Sequence, residues 1–154
     1  MKHPRQVCTF LISDQLFGLD VRCVSEVIRS TPPSPVPLSP ESLHGLVNLR
    51  GQIIPSINLH HRLGIEANLE TRDTPDTSAS APSMSLVIRS KEGLLCFPID
   101  EVGDVFEIDE DQLEPPPESL SAIARTLVES VCQLSSPSRL LILLKNEIPI
   151  LPTP

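Results

Sequence analysis

Apolar residues along this chain come in short runs broken by turn-formers, the pattern of strands rather than of long helices. "QVCTFLIS" carries Cys8, Phe10 and Ile12 on one face and Val7, Thr9 and Leu11 on the other, a strand buried on much of both faces. Asp14 and Gln15 turn the chain, and Leu16 to Leu19 return as a second strand. Asp20 can then cap a short helix over "VRCVSEVI", where Val21, Val24 and Ile28 form one apolar stripe. "STPPSPVPLSP", with five prolines in eleven residues, is an extended loop, and "ESLHG" has room for one helical turn. In "GLVNLRGQIIPSINL", Leu43, Gly45, Val47 and Leu49 alternate, and Ile53, Pro55, Ile57 and Leu59 alternate again after Gly51. That is a hairpin, with Gly51 supplying a positive φ at the turn and Ile53 and Leu59 expected in the core. Pro55 lacks an N–H, so its strand is expected at an edge or with that side turned from pairing. "LHHRLG" reads as a short helical cap ending at Gly64.

Residues 66–83 have one large apolar residue, Leu69, among Ser, Thr, Pro and charge, the composition of a flexible linker. Beyond it, "MSLVIRS", "LLCFPID", "VGDVFEI", "TLVESVCQL" and "RLLILLK" read as further strands, with one or two helical turns at "SLSAIA". Residues 146–154 are a proline-rich tail that excludes a regular terminal helix. The fold class expected is all-β, mainly β with short helices.

Composition narrows the function more than the fold. The 154 residues suit one domain of moderate size, with a core of Leu, Ile and Val, since there are four Phe and no Trp or Tyr. A net charge of −8 excludes a binder of phosphate backbones, which needs clustered Lys and Arg. No run approaches the roughly 18 apolar residues of a membrane span, and the start "MKHPRQVCTFLISD" lacks a signal sequence's apolar core, so a cytoplasmic protein is expected. Cys8, Cys23, Cys96 and Cys132 form no C-x-x-C pair and read as small buried hydrophobes in a reducing compartment. Ser56 near His60 and His61 lacks a nucleophile elbow, and adjacent histidines rarely aim at one metal ion, so no catalytic, cofactor or metal site is expected. The alternative kept open is a small cytosolic hydrolase or thiol-redox protein using Cys or His.

The two sides of the linker resemble each other. Phe17-Gly18-Leu19-Asp20 matches Phe97-Pro98-Ile99-Asp100, and Val24-Ser25-Glu26-Val27 matches Val102-Gly103-Asp104-Val105 across a two-residue gap. "GLVNLRGQIIPSI" matches "SVCQLSSPSRLLILL", with Ser135 to Ser138 in place of Arg50-Gly51. Two β subdomains are expected, about 10–65 and about 84–145, each too small for a thick core and therefore packed together. Because the second copy turns with plain residues, Arg50 is not required by the architecture.

In this order and spacing, "FLISDQLFGLDVRCVSEVI", "GLVNLRGQIIPSINLHHRLG", "FPIDEVGDVFEI" and "LLILLK" resemble the CheW-like domain of bacterial chemosensory systems, over residues 6–145. The most specific piece is G-x-x-N-x-R-G at Gly45, Asn48, Arg50 and Gly51. The chain departs from relatives in running "LLK" into "NEIPILPTP" where they carry "LLD" and a long helix. The resemblance implies two SH3-like five-stranded barrels packed side by side across a hydrophobic seam. It also implies a non-catalytic adaptor between the signalling tip of a methyl-accepting chemoreceptor and the regulatory domain of a CheA-type histidine kinase. The residues expected at partner surfaces are Arg50, Asn48, Glu26, Val27 and Gly51. Arg50 offers a permanently charged planar fork at a hairpin tip, able to meet a partner or a carboxylate of its own chain. Asn48 suits the turn backbone or a partner, Gly51 serves the backbone, and Glu26 is harder to bury than Val24 or Ile28.

Overall fold

The computed structural model describes residues 4–29, 34–38, 43–64, 84–120, 122–135 and 138–148. The strands are β1 (Arg5–Ile12), β2 (Gln15–Asp20), β3 (Val24–Arg29), β4 (Leu43–Leu49), β5 (Gln52–Ile57), β6 (Met84–Ser90), β7 (Gly93–Ile99), β8 (Glu101–Ile108), β9 (Leu113–Glu114), β10 (Val128–Ser135) and β11 (Ser138–Leu144). Two short helices, α1 (Leu59–Leu63) and α2 (Ala122–Arg125), accompany them. The strands form two sheets, one of six strands ordered β8-β1-β2-β11-β10-β9 and one of five ordered β3-β6-β7-β5-β4, each an SH3-like barrel; the first exceeds the expected five strands by the two-residue β9.

Strands β1, β2, β6 and β7 are buried on both faces, which explains their nearly continuous apolar sequence. Phe10, Ile12, Phe17, Leu19, Leu86, Ile88, Leu95, Phe97 and Ile99 fill a seam between the barrels, the largest apolar cluster among the described residues. Phe10 and Phe97 meet there with ring centroids 5.4 Å apart. Alternate residues face the barrel interiors: Val7 and Leu16 in the first, Val87 and Cys96 in the second.

The internal repeat is present, and its two copies exchange hairpins. β1–β2 pairs with β8 and β11 of the second half, and β6–β7 pairs with β3 and β5 of the first. The division between sheets therefore does not fall at the linker, where the 10–65 and 84–145 subdomains were expected to separate. Local patterns define strands but not the long-range partner of each hairpin. Val24 and Val27 lie opposite Ile88 and Leu86, as Val102 and Val105 lie opposite Phe10 and Cys8, so Glu26 and Asp104 hold equivalent places. Phe17 lies opposite Phe10 and Leu95 opposite Ile88. Phe17 thus corresponds to Leu95 rather than Phe97, and the two-residue gap is not needed.

Other expectations change in detail. The helix over 21–28 is a single 3-10 turn, Val21–Cys23, capped by Asp20, and Val24 onward is strand β3. Its β-branched residues gain a ladder with β6 that an isolated short helix could not match. Leu43 to Gly45 open β4 instead of a helical turn. Strand β5 is not an edge, because β4 lies outside it. Leu46 spends its N–H and C=O on Ser34, so its partner Pro55 turns its nitrogen away from β4 toward the short β5–β7 ladder. The β1–β2 turn is made by Ser13 and Asp14 at φ 50° and 63°, with Gln15 already in the strand. The expected linker over 66–83, and the tail beyond Ile148, lie outside the described residues.

Candidate functional site

The β4–β5 hairpin turns in two residues, Arg50 and Gly51, because Leu49 pairs with Gln52. Both have positive φ, 52° and 85°, the geometry of a type I′ turn. Gly51 takes this conformation freely, whereas an L-residue such as Arg50 is strained there by roughly 1–2 kcal/mol. Asn48 offsets part of that strain: its Oδ1 accepts the Gly51 N–H at 2.9 Å.

Arg50 Nη2 donates to Glu26 Oε2 at 3.0 Å. Glu26 stands on β3 opposite Val87 of the barrel interior, so its carboxylate lies at the open end of that barrel. Strands β3 and β4 are the two edges of this sheet, and the ion pair joins them across the mouth of the barrel. The arginine side chain remains 73% exposed while the glutamate is 27% exposed. With the arginine so exposed the pair adds little to folding, and Glu26 Oε1, buried without a hydrogen-bond partner among the described residues, offsets part of that. The pair's larger effect is to hold the guanidinium in one direction, with its remaining donors facing outward.

Exposed apolar residues stand on the elements that carry this pair. Val27 is 40% exposed and lies opposite Leu86, at the rim of the seam. Ile53, expected in the core, is 66% exposed. The parity of "QIIPSI" allowed either isoleucine inward, and the two-residue turn decides it. Val47 faces the interior and pairs with Ile54, which leaves Ile53 outward beside Asn48. Leu46, on the same outer face, is also exposed. All five residues expected at partner surfaces therefore belong to one corner: Arg50, Gly51 and Asn48 on the hairpin, Glu26 and Val27 on β3. Counting residues back from the turn would have added Ile53.

The groups weighed for catalysis are placed otherwise. Ser56 is buried inside the barrel and pairs in register with Cys96. All four cysteines are free, and burial pushes each thiol up, away from the reactive thiolate. Arg62 of α1, passed over in the sequence, is buried; burial draws its pKa down and the charge of Glu92 opposes this. Among the described residues, no group of three or more His, Cys, Asp or Glu converges as a metal site, and no helix is long and apolar enough to cross a membrane.

Comparison with known proteins agrees with this architecture. The CheW-like domain family matches residues 6–147. The chemotaxis protein CheW of Treponema pallidum is 28% identical over 127 residues, covering 82% of this chain and 71% of that protein. A probable chemotaxis protein CheW of Rhizobium etli is 29% identical over 143 residues, covering 93% and 85%. The crystal structure of the scaffolding protein TtCheW from Thermoanaerobacter tengcongensis superposes with a TM-score of 0.74 at 29% identity, covering 93% of this chain and 90% of that one.

Proposed function

The chain belongs to the CheW-like domain family, and on that premise we propose that it is a non-catalytic adaptor of a chemosensory system. It couples the signalling tip of a methyl-accepting chemoreceptor to the regulatory domain of a CheA-type histidine kinase. It works in the cytoplasm, and residues 6–145 act as one unit. Its mechanism is binding geometry: rigid barrels present fixed surfaces, and signalling passes through the complex they hold together.

The observation that carries this reading is Arg50. A charged side chain is kept at a strained turn position, held by Glu26 and Asn48, and left mostly exposed beside Val27 and Ile53. Folding gains little from that arrangement. A partner gains a pre-oriented fork of donors with exposed apolar residues on the same elements, the composition of an interface hot spot. In this reading Arg50 and Val27 make contact, Glu26 aims Arg50, and Asn48 with Gly51 shape the turn. Cys- or His-based hydrolysis or redox chemistry draws no support from thiols whose pKa burial raises or from the enclosed Ser56.

Calorimetric titration with a cognate kinase regulatory domain and a cognate receptor-tip fragment tests the proposal. Arg50→Ala is expected to weaken binding to one partner by about 1–3 kcal/mol, and Arg50→Glu by more, with the thermal midpoint little changed. Failure of the wild type to bind either partner at tens of micromolar, roughly 6–7 kcal/mol of affinity, would sink it.

A further inference from the structure

We infer that the corresponding corner of the other barrel, built on Asp104, Val105 and Leu140, is a second docking surface, whose protein partner supplies a basic side chain to Asp104. The inference rests on the adaptor reading above and specifies the chemistry of one partner.

The repeat aligns the two corners residue by residue. Asp104 holds the place of Glu26, and Val105 that of Val27. Bulges near the open ends of the two hairpins place Gly45, opposite Ser56, in correspondence with Ser130, opposite Leu143. Leu49 and Gln52 then match Leu134 and Arg139, and Ile53 matches Leu140. The apolar pair is kept: Val105 is 55% exposed and Leu140 is 38% exposed. The cation is not. Where the first copy has Arg50-Gly51, the second has Ser135-Ser136-Pro137-Ser138, with no basic residue. Arg139, next in the chain, donates instead to the carbonyl of Asp14. Among the described residues, the Asp104 carboxylate has no ion pair or hydrogen bond.

The backbone beneath Asp104 is fixed, since Thr9 Oγ1 donates to its carbonyl at 2.6 Å. The site is therefore the acidic half of an ion pair that one barrel completes within the chain and the other leaves open. Its surroundings select the occupant's charge. Glu101 and Glu107 are exposed on the same edge strand, and the whole chain carries −8. A second copy of this chain meets like charge; a partner presenting Arg or Lys beside an apolar patch meets opposite charge and covers Val105 and Leu140.

The test uses the full chain titrated with the same two probes, the kinase regulatory domain and the receptor-tip fragment, at low and high salt. Asp104→Arg is expected to weaken one of the two complexes about tenfold or more, and Asp104→Asn to weaken it less and flatten its salt dependence. Asp104→Asn keeps the shape of the side chain, so it remains informative if Asp104→Arg folds poorly. Wild-type binding with both variants within about twofold for both probes overturns the inference and leaves the adaptor reading standing. Wild type that binds neither probe overturns both. Wild-type self-association abolished by Asp104→Arg assigns the corner to a second copy and overturns the choice of partner.

Discussion

In the proposed reading, Arg50 separates what folding wants from what binding wants. A type I′ turn prefers Asn or Gly at its first central position, because those residues reach positive φ with less strain. Arg50→Asn is therefore expected to leave stability unchanged or raise it by up to about 1 kcal/mol, the relief of strain outweighing the lost pair with Glu26. The same change should weaken partner binding as much as Arg50→Ala does. Thermal melts and titrations on one preparation measure both, and loss of stability together with binding would make Arg50 a structural residue. Asp20 shows the opposite case, a charge committed to the fold. Its carboxylate accepts the Arg22 N–H at 2.9 Å and two bonds from the Arg22 guanidinium. The side-chain bond to Arg22 is the main reason its pKa lies below the usual carboxylate range. With the folded pKa depressed, the stabilisation is complete above the unfolded value near 4 and is lost as pH falls through the folded value. Asp20→Ala is thus expected to lower stability by about 1 kcal/mol at pH 7, the size of a lost cap, with the difference shrinking below about pH 4. Denaturant titrations across that range check it.

Among the elements, β8 is the most exposed long strand, yet it is tightly seated at one point. A Cβ added at Gly103 would lie 2.4 Å from Thr9 Oγ1, and Gly103 with Asp104 forms the bulge opposite Thr9. Gly103→Ala is expected to destabilise by about 1–3 kcal/mol. Thr9→Ala in the same chain should recover part of that, which a double-mutant cycle by chemical denaturation measures. Strand identity was legible in the sequence wherever alternation or a two-faced apolar run was long, as in β1, β6 and β10. It failed at "VRCVSEVI", where the 3.6-residue stripe of Val21, Val24 and Ile28 competed with β-branching, and ladder pairing to β6 decided. Parity misled at "QIIPSI", because two adjacent isoleucines fit either face until the turn length is known. The corner itself was legible from G-x-x-N-x-R-G, since Asn48 and Gly51 are the residues this turn demands and Arg50 is not. That Arg50 would meet Glu26 was not legible, because the pair forms only when the sheet curls and brings its edges together.

At the scale of the whole molecule, the exchange of hairpins makes the two barrels one cooperative body. Each barrel takes two strands from the half of the chain that supplies the rest of the other barrel. Neither half alone can therefore close a barrel, and neither can cover its side of the seam, where Phe10, Phe17 and Phe97 are buried. Such a body suits an adaptor, because it would keep the two proposed docking corners, at Arg50 and at Asp104, in one mutual geometry. The consequence is measurable. Fragments 1–64 and 84–154, expressed separately, are expected to show no cooperative unfolding transition, since each would hold an unpaired hairpin and an open sheet. Mixed at equal concentration, they should regain β-sheet circular dichroism at a rate that rises with concentration, as second-order assembly requires. Two barrels folded each from its own half would behave otherwise: the fragments would melt cooperatively alone and gain nothing on mixing. A cooperative melt of fragment 84–154 by itself would show that exchange of hairpins does not govern the fold, and with it would go the fixed geometry between the two corners.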